Sequence, residues 1–247
     1  MKDLFDTDRD DESSTMTGVV TGKVTDNEDP KGLGRVKVTY PHRDSDDESR
    51  WARVATEMAS SGYGTFFLPE VGDEVLVAFE DGDIHYPYVV GSLYNGQRPP
   101  NESNGDGDND IRQIKSRGEH VLEFDDDDSE PLVKLETSAG HVIKLEDKSG
   151  SEKVTIEDKS GSNSVTMDTA NNEVSIEAAQ TLSLSAPTIE LSADSEVNIS
   201  SNAKVNMEGN AEVNVSSKGN LNVESNGMMG VKSTAILTLE GSLIQIN

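Results

Sequence analysis

Histidine and carboxylate side chains are the first groups to consider for chemistry in this sequence, and the absence of cysteine excludes thiol catalysis and Cys-zinc sites. Its four histidines, His42, His85, His120 and His141, lie far apart and form no paired motif. With 47 acidic residues, some carboxylate pair will match glycosidase spacing by coincidence. GxSxG, HExxH and phosphate-binding motifs are absent. The sequence therefore predicts no catalytic residue, no cofactor and no enzymatic activity.

One acidic segment slightly resembles a calcium-binding loop. The run DGDND (Asp106 to Asp110) alternates carboxylates with small residues. It lacks the spaced terminal glutamate and the flanking helices of an EF-hand. We therefore expect no metal site here.

The net charge of −26 arises from 47 acidic and 21 basic residues spread along the whole chain. Such a charge argues against binding to a phosphate backbone, so no nucleic-acid partner is expected. One interpretation is a solvated acidic surface that keeps the protein soluble through charge repulsion between molecules. The interpretation we favour is a halophilic protein. Molar salt shortens the Debye length to about 3 Å, so the repulsion between the acidic side chains is screened and tolerated. We expect unfolding in low salt.

The first part of the chain predicts a small β-barrel. TGVVTGKVTD, GRVKVTY and DEVLVAFEDGDIHYPYVVGSLY alternate apolar and polar residues, the last around a turn at Asp81–Gly82. With no amphipathic helical stretch, residues 17–96 are expected to form a closed or nearly closed barrel. Residues 1–16 are expected to be a flexible arm without an apolar signal-peptide core. Residues 97–141 are expected to be a linker and neck.

The second part of the chain is an internal repeat without aromatic side chains, since the last one is Phe124. Apolar-x-apolar pairs recur, and six consecutive steps from Ile189 to Leu237 are eight residues long. Two aliphatic residues per eight cannot enclose a core within one chain. Three chains wound together could point them at a common axis and satisfy each other's backbone groups. An ordinary β-sandwich is the alternative, but the strict spacing disfavours it.

We therefore predict an intertwined, trimeric triple-stranded β-helix over residues 142–247. No run of about 18 apolar residues occurs, so no transmembrane helix is expected. The residues predicted for the trimer core of the β-helix are Val197, Ile199, Val205, Met207, Val213, Val215, Leu221, Val223, Val231, Leu237 and Leu239.

Residues 17–247 resemble the central spike of contractile injection machines, namely phage baseplate assembly protein V and the C-terminal part of VgrG. The resemblance is carried by DPKGLGRVKVTYP (Asp29 to Pro41) and by the segment from Arg50 to Pro100. The family's neck is resembled by IKSRGEHVLEFDD and SAGHVIKLED. The eight-residue repeats, which we call the octads, resemble its β-helix. The resemblance implies an all-β chain with an N-terminal OB-fold barrel that acts as a trimerisation collar. Trp51, Phe66, Phe67 and Phe79 are expected to fill the OB-fold core or the trimer contact.

The resemblance also implies partners. The 16 residues before the barrel are too few for the hub region of a full VgrG, so we expect a separate baseplate hub protein on the N-terminal side. The connection from Asn95 to Pro131 is too short for an inserted lysozyme domain. The octads hold no His-x-His pair for a metal-binding tip. We therefore expect a blunt end that carries a PAAR-like tip protein on residues 237–247, through Leu243, Ile244 and Ile246.

The function that these features favour is structural. A homotrimer would form the spike of a contractile tail, in a virion or injection particle made in the host cytoplasm, and would puncture the target envelope in transient contact with its membrane. The acidity favours a haloarchaeal virus or particle. One alternative is a tail adhesin whose OB-fold binds a surface glycan. A polysaccharide-degrading β-helix is disfavoured, because the octads offer no aromatic platform for sugars.

Overall fold

The computed structural model of this 247-residue chain describes residues 15–43 and 48–246. Apart from one 3₁₀ turn at Glu80–Gly82, the regular structure in these ranges is β-strand, so the prediction of an all-β chain is confirmed. None of these residues belongs to a helix with the length and apolarity needed to cross a bilayer. The chain divides into two compact units between Ser183 and Leu184. The expected flexible arm lies outside the described residues except for Thr15 and Met16.

Seven strands form the first part of the structure. Five of them make a sheet in the order β2-β1-β6-β7-β3, and β4 and β5 form a separate hairpin. Val36 and Ala52 exchange backbone hydrogen bonds of 3.0 and 2.7 Å, which link the β2 end of the sheet to the β3 end and close it. The strands are β1 (Val19–Asp26), β2 (Lys37–Thr39), β3 (Arg53–Val54), β4 (Ala59–Ser60), β5 (Tyr63–Gly64), β6 (Glu74–Phe79) and β7 (Pro87–Leu93).

The core of this barrel is built mainly from valine residues, together with Ala52 and Tyr40. Alternation along each strand sends one residue in two inward, as in β6, where Val75 and Val77 are fully buried. The turn predicted at Asp81–Gly82 joins β6 to β7, and both residues adopt positive φ, 51° and 78°. The buried cluster comprises Val24, Val36, Val38, Tyr40, Ala52, Val75, Val77 and Val89.

A second sheet contains the next seven strands in simple sequence order, each antiparallel to its neighbour. Short turns join five-residue strands, so all the pairing is local along the chain. The predicted boundary between neck and β-helix, at residues 141 and 142, falls inside this sheet. The strands are β8 (Ile111–Lys115), β9 (Val121–Asp125), β10 (Leu132–Glu136), β11 (Val142–Glu146), β12 (Lys153–Glu157), β13 (Ser164–Asp168) and β14 (Glu173–Glu177).

The second unit has a regular turn at each repeat but no hydrogen-bonded strand or helix within residues 184–246. Bends recur at positions 202–203, 210–211, 218–219, 226–227 and 234–235, with extended segments between them. At four bends a serine Oγ accepts the backbone N–H two residues later, in a turn that local side chains stabilise. The pairs are Ser201–Ala203, Ser217–Gly219, Ser225–Gly227 and Ser233–Ala235, each at 3.2 Å. The triple-stranded β-helix, which needs three chains, stays a prediction.

Candidate functional site: apolar surfaces of one chain

The four aromatic residues expected in the barrel core occupy different environments. Phe79 packs against the buried cluster, with its ring 5.7 Å from that of Tyr40. Phe66 and Phe67 are 75% and 69% exposed, so the prediction that they fill the core of the barrel is wrong for a single chain. The physical reason is that aliphatic residues of the closed sheet already occupy the interior. The other expected role, a trimer contact, stays a prediction for these two residues.

Trp51 lies on the outer side of the barrel closure, because its neighbour Ala52 points inward. Arg35 and Lys37 place their cationic groups 5.7 and 5.5 Å from the centre of its ring. Cation–π attraction of this kind is worth about 0.5–1 kcal/mol at an exposed site. Trp51 therefore stabilises the junction between β2 and β3 from outside the core.

Asp29 anchors Arg35 in this arrangement. Arg35 donates two hydrogen bonds to its carboxylate, at 2.8 and 2.7 Å, and the Asp29 side chain is only 3% exposed. The backbone N–H groups of Lys31 and Leu33 donate to the same carboxylate. The Arg35 hydrogen bond, with help from these N–H groups, holds the pKa of Asp29 well below its ordinary value.

Three of the exposed aromatic residues, Tyr63, Phe66 and Phe67, collect around the β4–β5 hairpin. They line an open cleft of about 600 Å³ in which no charged side chain takes part. We call this surface the hairpin patch, and it comprises Leu33, Met58, Tyr63, Phe66 and Phe67, all of them exposed. Aromatic side chains are enriched in this way at protein interfaces.

The second sheet has one apolar and one polar face. Cross-strand pairs such as Leu135↔Ile143 and Ile143↔Ile156 continue the apolar face from strand to strand. In the single chain no second layer of described residues covers these side chains, many of which remain 40% exposed or more. We call this surface the sheet face, and it comprises Leu122, Phe124, Val133, Leu135, Ile143, Leu145, Val154, Ile156, Val165, Met167, Val174 and Ile176.

The opposite face of the same sheet carries ion pairs. Lys134 Nζ lies 2.9 Å from Glu123 and 3.4 Å from Glu136, and Lys144 Nζ lies 3.2 Å from Glu146. The hydrogen bond that Lys134 donates to Glu123 raises the pKa of Lys134 above its ordinary value. This charged face is therefore well solvated by water, whereas the uncovered apolar face would be stabilised by burial against another surface.

The octads repeat this arrangement in the second unit. In each apolar pair from Ile189 to Ile246, the first residue is 49–58% exposed and the second 63–84%. All eleven residues predicted for the trimer core therefore lie uncovered in one chain. The regular difference between first and second members indicates that each repeat adopts the same local conformation.

The residues predicted to seat a tip protein lie at the end of the octads. Leu243 and Ile246 are 83% and 84% exposed, and Ile244 is 50% exposed. All three are apolar and uncharged, and Glu240 is the nearest acidic residue in sequence. Their exposure is compatible with a covering partner, but their role stays a prediction.

The polar clusters of the described residues are an acidic cleft and isolated histidine contacts. A cleft of about 510 Å³ near Asp106 and Asp110 is lined by several acidic side chains. Desolvation, and to a smaller extent the negative charge of neighbouring carboxylates, raises the pKa of Asp110. Of the histidines, His85 pairs with Asp83 at 2.8 Å and His120 accepts the N–H of Ser138 at 3.2 Å. Across the described part of the chain, no three His, Asp or Glu residues are grouped to hold a metal ion.

Comparison with known proteins agrees with the predicted resemblance. Residues 20–94 match the family model of the Type VI secretion system/phage-baseplate injector OB domain. The Pseudomonas aeruginosa spike protein VgrG4b is 40% identical over 90 residues, covering 34% of this chain and 11% of the relative. The Vibrio cholerae spike protein VgrG3 is 43% identical over 67 residues, covering 26% and 7%. The Pseudomonas aeruginosa spike protein VgrG5 is 30% identical over 148 residues, covering 56% and 16%.

These matches cover less than a fifth of each of the three relatives. They nevertheless confirm the resemblance to VgrG and phage-baseplate spike proteins, and they confirm the OB fold of the barrel. Sequence reasoning missed the outward position of Phe66 and Phe67. The twelve residues from Met58 to Pro69 contain no charge, which was the available signal that this segment is unlike the rest of the surface.

Proposed function

We propose that this chain is the structural central spike of a contractile tail or secretion baseplate and acts as a homotrimer. The observation that carries the proposal is the apolar series of the octads, which one chain leaves half exposed or more. The likeness to VgrG spike proteins supports it independently. Exposed aliphatic surface of this extent is unfavourable in water, at about 25 cal/mol per Å². Other chains must therefore cover it.

Three chains wound around a common axis would bury the apolar pairs and leave the residues between them in water. Interleaved strands about 4.8 Å apart would advance the rod by about 5 Å per octad. Each backbone group would find its partner on a neighbouring chain, and sheet edges would remain only at the ends. Such a rod is thin, and its chains must unwind together before any of them unfolds.

The proposed mechanism is mechanical. Sheath contraction would drive the rod through the target envelope, in transient contact with the membrane, and stiffness rather than a chemical step would do the work. No catalytic group of this chain takes part in the proposed mechanism. The proposed location is the axis of a tail baseplate, in a virion or an injection particle.

The proposed partners lie at the two ends of the spike. A separate hub protein would contact the N-terminal side, and a PAAR-like tip protein would cover Leu243, Ile244 and Ile246. Replacing Ile244 with Asp should abolish capture of a purified tip protein. The matched control is Gln245→Asp, which adds the same charge to the residue between the two isoleucines. Equal capture by both variants would contradict this seat.

We also propose that the protein is halophilic. Three chains of −26 each would repel strongly in dilute buffer, and molar salt screens that repulsion. The unfolding midpoint should therefore rise steeply with salt concentration. A trimer that is equally stable in dilute buffer would overturn this part of the proposal.

The proposed function is tested by locating the chain in purified particles with electron microscopy. A spike must lie on the tail axis, with three copies related by threefold symmetry. A peripheral position would contradict the proposal and favour the adhesin. The hairpin patch is the observation that keeps a glycan-binding adhesin as the second candidate, since exposed aromatic rings can stack on sugars. Tight binding of a glycan by the whole protein, lost on Phe66→Ser, would support it.

A further inference from the structure

We propose that the outward side of the last three octads binds lipid by entering the hydrocarbon region of a bilayer. This inference rests on the proposed homotrimer and gives its rod a lipid affinity that does not depend on sheath contraction. The surface is a row of three apolar side chains, Met228, Ile236 and Leu243, which we call the outer row. They are 93%, 82% and 83% exposed in one chain.

The outer row occupies a position that is polar in the preceding octads. Each of its residues stands directly before an apolar pair, so alternation along the extended segment points it away from that pair. A trimer that buries the pairs at its axis would therefore leave the outer row on its surface. In the four octads before Met228, the same position holds Glu196, Lys204, Glu212 and Asn220.

The outward position inside each pair changes at the same point of the chain. Gly230 and Thr238 stand between the apolar residues that follow Met228 and Ile236. The outward surface therefore loses polarity at two positions of each octad together. In the four preceding octads, this inner position holds Asn198, Asn206, Asn214 and Asn222.

Charge changes together with the outer row. Residues 190–224 contain six acidic and two basic residues, a net charge of −4. Residues 225–247 contain only Lys232 and Glu240, whose charges cancel. Because a charged side chain is expensive to transfer into hydrocarbon, this neutral segment enters lipid at a lower cost than the acidic octads before it.

A bilayer is the partner that fits the geometry of a trimer. Three chains around one axis would present three copies of the outer row, and lipid can surround a rod on all sides. At about 5 Å per octad, three octads extend over about 15 Å, roughly half of a hydrocarbon core of about 30 Å. Backbone groups paired between neighbouring chains would leave no orphan N–H or C=O to face the hydrocarbon. The segment therefore fits one leaflet.

Vesicle binding by the full-length trimer tests the inference. The variant carries Met228→Glu and Ile236→Glu, and the matched control carries Asn214→Glu and Asn222→Glu, which add the same charge at outward positions eight residues apart. Binding to vesicles of neutral phosphatidylcholine is measured by flotation in molar salt, with no other protein present. The control should bind as the unmodified protein does, whereas the variant should bind more weakly by about tenfold or more, because apolar burial is lost.

A polarity-sensitive dye locates the contact. Met228→Cys and Asn214→Cys are labelled in the full chain, which has no cysteine of its own. Vesicles should shift the dye emission to shorter wavelength at position 228 and leave it unchanged at position 214. A shift at position 228 that requires an added tip protein instead of lipid would assign the outer row to that protein and overturn the inference.

The outcomes separate this inference from the proposed function. An assembly of three chains that does not bind vesicles, or that binds them equally in variant and control, overturns the inference and leaves the spike intact. A larger assembly that forms without lipid and is dissolved by the two Glu substitutions also overturns it, because the outer row would then join rods to each other. A monomeric mass contradicts the homotrimer and the lipid surface together.

Discussion

The barrel and the octads use the same aliphatic residues and the same alternation, yet only the barrel buries them within one chain. Val75 and Val77 of the barrel are fully buried, whereas Val213 and Val215 of the octads are 49% and 63% exposed. The difference lies in the length of the strands and in closure. Strands of up to eight residues pair around the barrel until its ends meet at Val36 and Ala52. The octads turn after each apolar pair, so they present an apolar surface that one chain cannot cover.

The comparison predicts that charge on the inward side of the octads has the largest effect. In the full chain, Val213→Asp with Val215→Asp would bury carboxylates at the axis of the rod, which is very unfavourable without partners. We expect the trimer to be lost entirely while the barrel stays folded, as measured by light scattering and by hydrogen exchange of the barrel.

The matched control for this experiment is Asn214→Asp, which adds a charge between the same two valines. Because Asn214 points to the opposite side of the extended segment, this variant should stay trimeric. Loss of assembly in both variants would contradict the assignment of inward and outward residues.

The second prediction concerns the barrel, whose core belongs to one chain. Val77→Ala should lower the free energy of unfolding of the barrel by roughly 2–3 kcal/mol, because it leaves a cavity among buried valines. Val90→Ala, at a position 45% exposed, should change it by less than about 1 kcal/mol. Denaturant unfolding followed by the fluorescence of Trp51 measures both. Similar losses for the two variants would mean that the core is not where the structure puts it.

The third prediction concerns the hairpin, which is local to the barrel. Gly64→Ala forces a side chain toward Met58 O at a positive φ, so it should cost about 1–3 kcal/mol. Gly91→Ala, where an added Cβ has no neighbour within 4 Å, should be nearly neutral. The same unfolding experiment tests the pair, and a neutral Gly64→Ala would show that the hairpin backbone can relax.

The smallest effect is expected from replacing Asp29, and it should appear as a change in the pH dependence of barrel stability. Its pKa is lowered in the folded state, so the stabilisation is present above the ordinary pKa near 4 and is lost as the pH falls below it. Asp29→Asn should reduce the loss of barrel stability between neutral pH and pH about 3. Glu28→Gln, which removes a neighbouring exposed carboxylate, is the control. An unchanged acid profile in Asp29→Asn would show that the Arg35 pairing does not contribute.

The sequence was sufficient for features that depend on local pattern. Alternation predicted an all-β chain, and Asp81–Gly82 predicted the turn between β6 and β7, because positive φ favours these residue types. The resemblance to injector spike proteins was also readable, since it depends on motifs in order along the chain. The repeat of eight was visible in the sequence, and serine residues stand at four of its bends.

Features that depend on closure could not be read from the sequence. Phe66 and Phe67 look like core residues by type, but valines, Tyr40 and Phe79 already fill the barrel and leave these two rings outside. The pairing of Trp51 with Arg35 and Lys37 requires β2 and β3 to meet, which only the closed sheet brings about. The sheet over residues 111–177 is continuous across the predicted boundary at residues 141 and 142, because each strand pairs with the next one along the chain.

The mass of the purified chain in solution tests the main claim, that the core of the octads belongs to three chains. Sedimentation equilibrium in molar salt is the measurement, carried out over a wide range of concentration. We expect a single species at three times the 26.6 kDa of one chain. A species of one chain mass whose octad amides are nevertheless protected from hydrogen exchange would contradict it.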